Sequence, residues 1–192
     1  MIGSSQLINT FSRPCFTDTT DIFKDGSGVA LYGLDYDASD AGGASGKFGE
    51  AAIFNGSSSK IVVEDSSANA FGFANMTGSI SAWLNPAVLG TSMGIAAKRD
   101  QGSPGNRQWI FRKYSDNKIQ FYAYQTDSNS QVVISTSTIP QDSWTHVVVT
   151  LTTSEMKIYL NGVLDKTTTT SYTTIQNDGA DLTIGTQGAN SS

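Results

Sequence analysis

The sequence predicts an all-β fold, a two-sheet antiparallel jelly-roll sandwich, on three observations. About a dozen short runs are apolar or alternate apolar with polar residues, at the length and spacing of strands. No window repeats apolar residues at helical spacing for long enough to make an amphipathic helix, so helix is confined to short turns near residues 21–24 and 66–73. Gly, Ser and Thr abound between the runs while charged residues make up only 15% of the 192, a balance that suits strands joined by many turns.

In chain order the expected strands are "GVALYGL" (28–34), "AAIFNG" (51–56), "KIVVED" (60–65), "SISAWLNP" (79–86), "GIAAKR" (94–99) and "RQWIFRKY" (107–114). They continue with "KIQFYAY" (118–124), "QVVIST" (131–136), "WTHVVVTL" (144–151), "EMKIYL" (155–160), "VLDKTTTT" (163–170) and "DLTIG" (181–185). Between "KIYL" and "VLDK" stands Asn161-Gly162, the pair that best accepts positive φ at both central positions of a type I′ turn, so a tight hairpin is expected there. A second turn at "TTSE" (152–155) extends it to a three-stranded meander from Trp144 to Thr169. Alternation puts Val147, Val149 and Leu151 on one face and Trp144, His146 and Val148 on the other, so this strand is expected to be central and covered on both sides.

"IPQDSWTHVVVTLTTSEMKIYLNGVLDKT", with "GSISAWLNP" and "GKFGEAAIFNGSSSKIVVEDS" before it and "DLTIGT" after it, resembles the laminin G-like, concanavalin A-like lectin-glucanase jelly-roll family. The resemblance covers roughly residues 28 to 186, four motifs in the family's order. It implies the sandwich fold and a glycan-binding, adhesive or structural role, and similar sequences are frequent in phage tail and virion surface proteins. Two departures stand out. The family's extra strand before "GKFG" is reduced to "AGGAS", and its final strand after "LxIG" is missing, since the chain stops at "TQGANSS". An open sheet edge is therefore expected, unless the natural chain continues past Ser192, or residues 1–20 or a partner chain fill the place. The expected organisation is an amino-terminal arm or leading segment, residues 1–25, followed by the jelly-roll domain, residues 26–192.

Several function classes are disfavoured. A net charge of −5 argues against nucleic acid, whose binders need a basic stripe. Lys98, Arg99, Arg107, Arg112 and Lys113 cluster, but Asp100 and Asp116 interrupt them, and a solvated edge is the expected reading. The opening residues lack a basic start and a signal-length apolar run, and no run approaches a membrane span, so no signal peptide and no membrane insertion are expected. Cys15 is the single cysteine, which excludes an internal disulfide. Glycoside hydrolases of this fold place two carboxyls about 5–10 Å apart across the scissile bond. Glu50, Glu64 and Glu155 do not form the family's E-x-D-x-x-E pattern, and most aspartates stand in turn contexts such as "KDGSG" and "YSDNK". His146, the one histidine, reads as a core or second-layer residue bonded to backbone rather than a catalytic base. "DGSGVALYG" lacks the lysine of a phosphate-binding loop.

Binding residues are easier to find. Sugars stack on aromatic faces while planar polar side chains take their hydroxyls. Alternation sends Tyr122 and Tyr124 away from Ile119, Phe121 and Ala123, and Trp109 and Phe111 away from Ile110 and Arg112. The candidate patch is Tyr122, Tyr124 and Trp109 with Arg107, Gln125 and Asp127 at the strand ends. The alternative is that these rings line the second face of a covered sheet. Trp83 and Trp144 read as core. Asp35, Asp37 and Asp40 are a weak calcium candidate, suggested by the resemblance, and the alternative is turn capping. The expectation is a non-enzymatic recognition or decoration module on a virion surface or tail. Its expected partners are other virion or tail proteins, further copies of itself, or a cell-surface glycan. A free carbohydrate-binding module, or a non-catalytic fragment of a secreted glycosidase, is the alternative.

Overall fold

Along Thr145–Leu151 burial alternates residue by residue: Thr145, Val147, Val149 and Leu151 are buried, and His146, Val148 and Thr150 are half-buried. That period, repeated on neighbouring strands, builds the sandwich. The computed structural model describes residues 23–24, 30–31, 44–48, 50–63, 71–73, 75–100, 106–176 and 179–188.

Among the described residues there are four sheets. Two are short pairs, β1 (Phe23–Lys24) with β2 (Ala30–Leu31) and β3 (Ala44–Ser45) with β4 (Glu50–Ala51). The sandwich itself uses β5 (Ile61–Val63), β6 (Gly78–Leu84), β7 (Met93–Arg99), β8 (Arg107–Lys113) and β9 (Lys118–Thr126). It is completed by β10 (Asn129–Thr138), β11 (Thr145–Leu151), β12 (Glu155–Leu160), β13 (Val163–Thr169) and β14 (Leu182–Ile184). One sheet has six strands in the order β10-β9-β8-β7-β14-β5, the other four in the order β13-β12-β11-β6, with antiparallel pairing throughout.

The core lies between these two sheets. Trp109, Phe111, Ile119, Phe121 and Val133 from the larger sheet and Val147, Val149, Met156 and Ile158 from the smaller belong to one buried cluster. Each such side chain contributes roughly 1.5–3 kcal/mol by leaving water. The rings meet as offset or edge pairs, Trp109 with Phe121 at 6.1 Å and Phe111 with Phe121 at 6.5 Å. Trp109 satisfies its indole N–H by donating to the Phe71 carbonyl at 2.9 Å.

The expected meander is present. Asn161 and Gly162 both have positive φ, 51° and 82°, and the Thr152–Glu155 turn closes with the Thr152 N–H on the Glu155 carbonyl at 2.9 Å. β9 and β10 run longer than expected, because Gln125–Thr126 and Asn129–Ser130 stay in strand conformation around a turn at residues 127–128. The expected strand at 51–56 is only the pair Glu50–Ala51. Residues 23–24, expected in a helical turn, form β1.

Four further expectations are corrected. The β11 strand is interior to its sheet but covered on one face only, since His146, Val148 and Thr150 are half-buried. Trp83 lies opposite His146 on that outer face, stacked on it at 4.9 Å, and Trp144 is also only half-buried. His146 bonds to a side chain, the Ser81 hydroxyl, through Nε2 at 2.7 Å. The basic cluster is no solvated edge: Lys98 is 0% and Lys113 1% exposed. Their amines are solvated by the fold instead, Lys98 donating to the Ala180 carbonyl and Lys113 to the Thr91 carbonyl at 2.8 Å. Burial also pushes the Lys113 amine below its ordinary pKa, with Asp116 opposing.

Candidate functional site

The register of β8 and β9 decides which predicted site residues meet. Trp109 pairs with Ala123 and Phe111 with Phe121, while Ile110 pairs with Tyr122 and Arg112 with Gln120. The first set faces the core between the sheets. The second lies on the opposite face, where Ile110 and Gln120 are buried and Ile110 forms a second, small apolar cluster with Ala97 and Tyr124 that Tyr122 packs against. Tyr122 and Tyr124 share the outer face, their rings stacked at 6.2 Å and 22°. Tyr122 is half-buried and Tyr124 is 9% exposed.

Trp109, at 2% exposure, is in the core and apart from the tyrosines. Alternation also turns Gln125 to the side of Ala123, where its amide oxygen accepts from Asn129 at 3.4 Å. Arg107 and Asp127 do meet at the strand ends, through the Arg107 guanidinium and the Asp127 carbonyl at 3.4 Å. The Asp127 carboxylate accepts from Gln176 at 3.3 Å. Asp35, Asp37, Asp40 and Cys15 lie outside the described residues, as does nearly all of the segment 1–25. Among the described residues no group of three or more His, Cys, Asp or Glu could hold a metal ion.

The centre of the face is a residue that strand counting placed there without assigning it a role. Arg112 lies over the rings of Tyr114 and Tyr122, at 4.5 and 4.9 Å from their centroids. It donates from Nε and Nη2 to Gln120 Oε1 at 3.1 and 2.9 Å, from Nη2 to the Tyr122 hydroxyl at 3.2 Å, and from Nη1 to Gln187 Oε1 at 3.0 Å. Tyr114 is 39% exposed, so this stack reaches the surface.

Gly94 makes the Gln187 contact possible. It pairs with Arg112 and so shares its face. A Cβ there would stand 2.1 Å from the Thr186 carbonyl carbon and 2.5 Å from the Gln187 nitrogen. Only glycine lets that backbone lie on the sheet.

Arg99 adds a third guanidinium from β7. Burial pulls it below its ordinary pKa, Tyr124 opposes that pull, and the like charges of Arg107 and Arg112 add to it. Burial raises the Tyr124 hydroxyl pKa, with Arg99 and Arg107 opposing. The face is therefore aromatic, cationic and lined by planar amides. It can stack a ring and donate hydrogen bonds in a plane.

A family model described as Laminin_G_3, concanavalin A-like lectin/glucanases superfamily, matches residues 55–192. The chain belongs to this superfamily. Solved structures agree on the fold of this superfamily member. The binding domain of Paraclostridial Mosquitocidal Protein 1 is similar at a TM-score of 0.65 and 14% identity, over 86% of this chain and 41% of that one. The Botulinum neurotoxin serotype D binding domain follows at 0.63 and 15%, over 91% and 42%. A serotype D ligand binding domain in complex with N-acetylneuraminic acid matches at 0.52 and 18%, over 70% and 33%. The chain thus spans about two fifths of the length of the first two structures, and at such identities the likeness is one of fold. A search of curated proteins found no match.

Proposed function

We propose that this chain is a non-enzymatic recognition module and that the outer face of its six-stranded sheet binds a glycan. The observation that carries the reading is the surface stack of Tyr114, Arg112 and Tyr122, edged by Gln120 and Gln187. A pyranose has an apolar face for such a ring and equatorial hydroxyls for such amides. Structures of similar fold are described as binding domains, one of them in complex with N-acetylneuraminic acid.

Three of the described carboxylates are engaged by the fold itself. Asp165 accepts from the backbone N–H groups of Thr136 and Ser137, Asp116 from that of Lys118, and Glu155 pairs with Lys157. Such anchoring favours binding over acid–base hydrolysis, which needs two free carboxyls across one bond.

The setting we propose is a virion surface or tail, where the module would decorate or attach. Glycan-array binding of the purified chain tests the reading, beside Tyr122→Ala and Arg112→Ala. Both variants should lose binding while keeping the wild-type circular dichroism spectrum. Wild-type binding in both variants would move the site elsewhere, and absence of the chain from purified particles would remove the virion setting alone.

A further inference from the structure

Arg99 and Arg107 stand directly opposite each other across β7 and β8. Like charges in that relation weaken a sheet. The Nε of each is buried and has no hydrogen-bond partner among the described residues. Among the described residues Arg107 donates to a carbonyl, the Asp127 oxygen at 3.4 Å. Arg112, on the same face, bonds to Gln120, Gln187 and Tyr122, all neutral.

The register shift between Lys98 and Arg99 interrupts the alternation and brings Arg107 opposite Arg99, so that Arg99, Arg107 and Arg112 all act on Tyr124, and no carboxylate is among these hydrogen-bond partners. The three guanidiniums stand in a chain whose net charge is −5. The positive field is therefore local to the face rather than a property of the whole surface. Half-buried guanidiniums attract an anion more strongly than exposed ones, because water screens them less. Their planar forks match an oxyanion with two coplanar oxygens.

We infer that this face selects an acidic sugar, with a carboxylate or sulfate group seated on Arg99 and Arg107 and the sugar ring lying against Tyr122. The inference rests on the glycan-recognition reading above and narrows it to one ligand class. Charge supplies the selection and the tyrosine supplies the platform. A neutral sugar would meet the platform and leave the guanidiniums unpaired.

Calorimetric titration of the full chain with matched oligosaccharides tests this. One arm compares sialyllactose with lactose, the other a sulfated with an unsulfated N-acetyllactosamine. The acidic member of at least one pair should bind about tenfold or more tightly than its neutral partner, the scale of one charge-assisted fork. That preference should shrink as salt is raised and vanish in the Arg99→Gln, Arg107→Gln double variant, which keeps its weaker neutral binding.

Equal affinity for acidic and neutral members in both arms overturns the inference and leaves the platform reading standing. No binding to any of the four sugars overturns both. Should the double variant fail to fold, Arg107→Lys keeps the charge and loses the fork. It should lose most of the acidic preference, and an unchanged preference would overturn the proposed seat.

Discussion

On the outer face of the four-stranded sheet Lys157 lies against the carboxylate of Glu155, whereas on the outer face of the six-stranded sheet Arg99, Arg107 and Arg112 have no carboxylate among their described hydrogen-bond partners. The same face carries Ser79, Ser81, Val148, Thr150, Tyr159, Leu164 and Thr167, in rows set by the register of β6, β11, β12 and β13. These are the half-exposed, β-favouring residues a sheet needs toward water. The hydroxyl of Ser81 and the ring of Trp83 are both engaged by His146. Lys47 lies over that ring at 5.3 Å and Phe48 meets it edge-on at 5.9 Å, so this face also carries a cation and rings, each held by a neighbour. The other stacks tyrosines under cations that have no carboxylate among their described hydrogen-bond partners, which strand pairing gives no reason to place there. The difference teaches that alternation builds both faces, while charge balance separates the face that only supports the fold from the face that meets a partner.

The largest effect should come from crossing between the two sides of β9. Phe121→Ala empties the centre of the core, where Phe121 contacts Trp109 and Phe111, and should cost about 3–5 kcal/mol in urea unfolding. Tyr122→Ala, one residue later, removes a half-buried ring from the outer face and should cost roughly 1 kcal/mol, the worth of its ring contacts. Equal costs would mean that the small cluster of Ala97, Ile110 and Tyr124 beside Tyr122 weighs as much as the core between the sheets, and the comparison would fail. A smaller effect is expected at Gly94. Gly94→Ala drives a methyl into the Thr186–Gln187 backbone and should cost about 1–3 kcal/mol, the range for overpacking. It should also part Gln187 from Arg112 and so weaken glycan binding. Unchanged stability and binding would show that this close approach does not matter to the site.

The sandwich, the Asn161-Gly162 hairpin and the division of "KIQFYAY" into two faces were legible because each depends on local pattern: period two, turn chemistry and the outward parity of Tyr122 and Tyr124. The family resemblance was legible for the same reason, as ordered strand motifs. Other features depend on which strands become neighbours. Trp109 was placed with the tyrosines although its own alternation set it beside Phe111, and the pairing with Ala123 puts it in the core. Arg99 and Arg107 are eight positions apart in the sequence and opposite each other only once β7 pairs with β8. Lysine is usually solvated, and the burial of Lys98 and Lys113 depends on acceptors brought by other segments, among them the Ala180 and Thr91 carbonyls and the Asn117 side chain. Gln187 follows the last described strand with no pattern around it. Gly94 is the one sequence signal of that close approach, since glycine inside a strand run often marks one.

The smallest effect is the sharpest test of the comparison. Arg99 faces Arg107 across the strand pair, is pulled below its ordinary pKa first by burial, and has no hydrogen-bond partner for its Nε among the described residues. Arg99→Gln keeps a long polar side chain over the sheet and removes the repulsion between two guanidiniums. The variant should therefore be as stable as the parent or more stable by up to about 0.5 kcal/mol at low ionic strength, the scale of an unfavourable cross-strand pair. The gain should fade as added salt screens the repulsion in the parent. The opposite face supplies the control: Lys157→Gln breaks the pair with Glu155 and should not stabilise the chain at any salt concentration. Loss of 1 kcal/mol or more in Arg99→Gln would show that the fold needs that cation, and the outer face of the six-stranded sheet would then be structural like its counterpart.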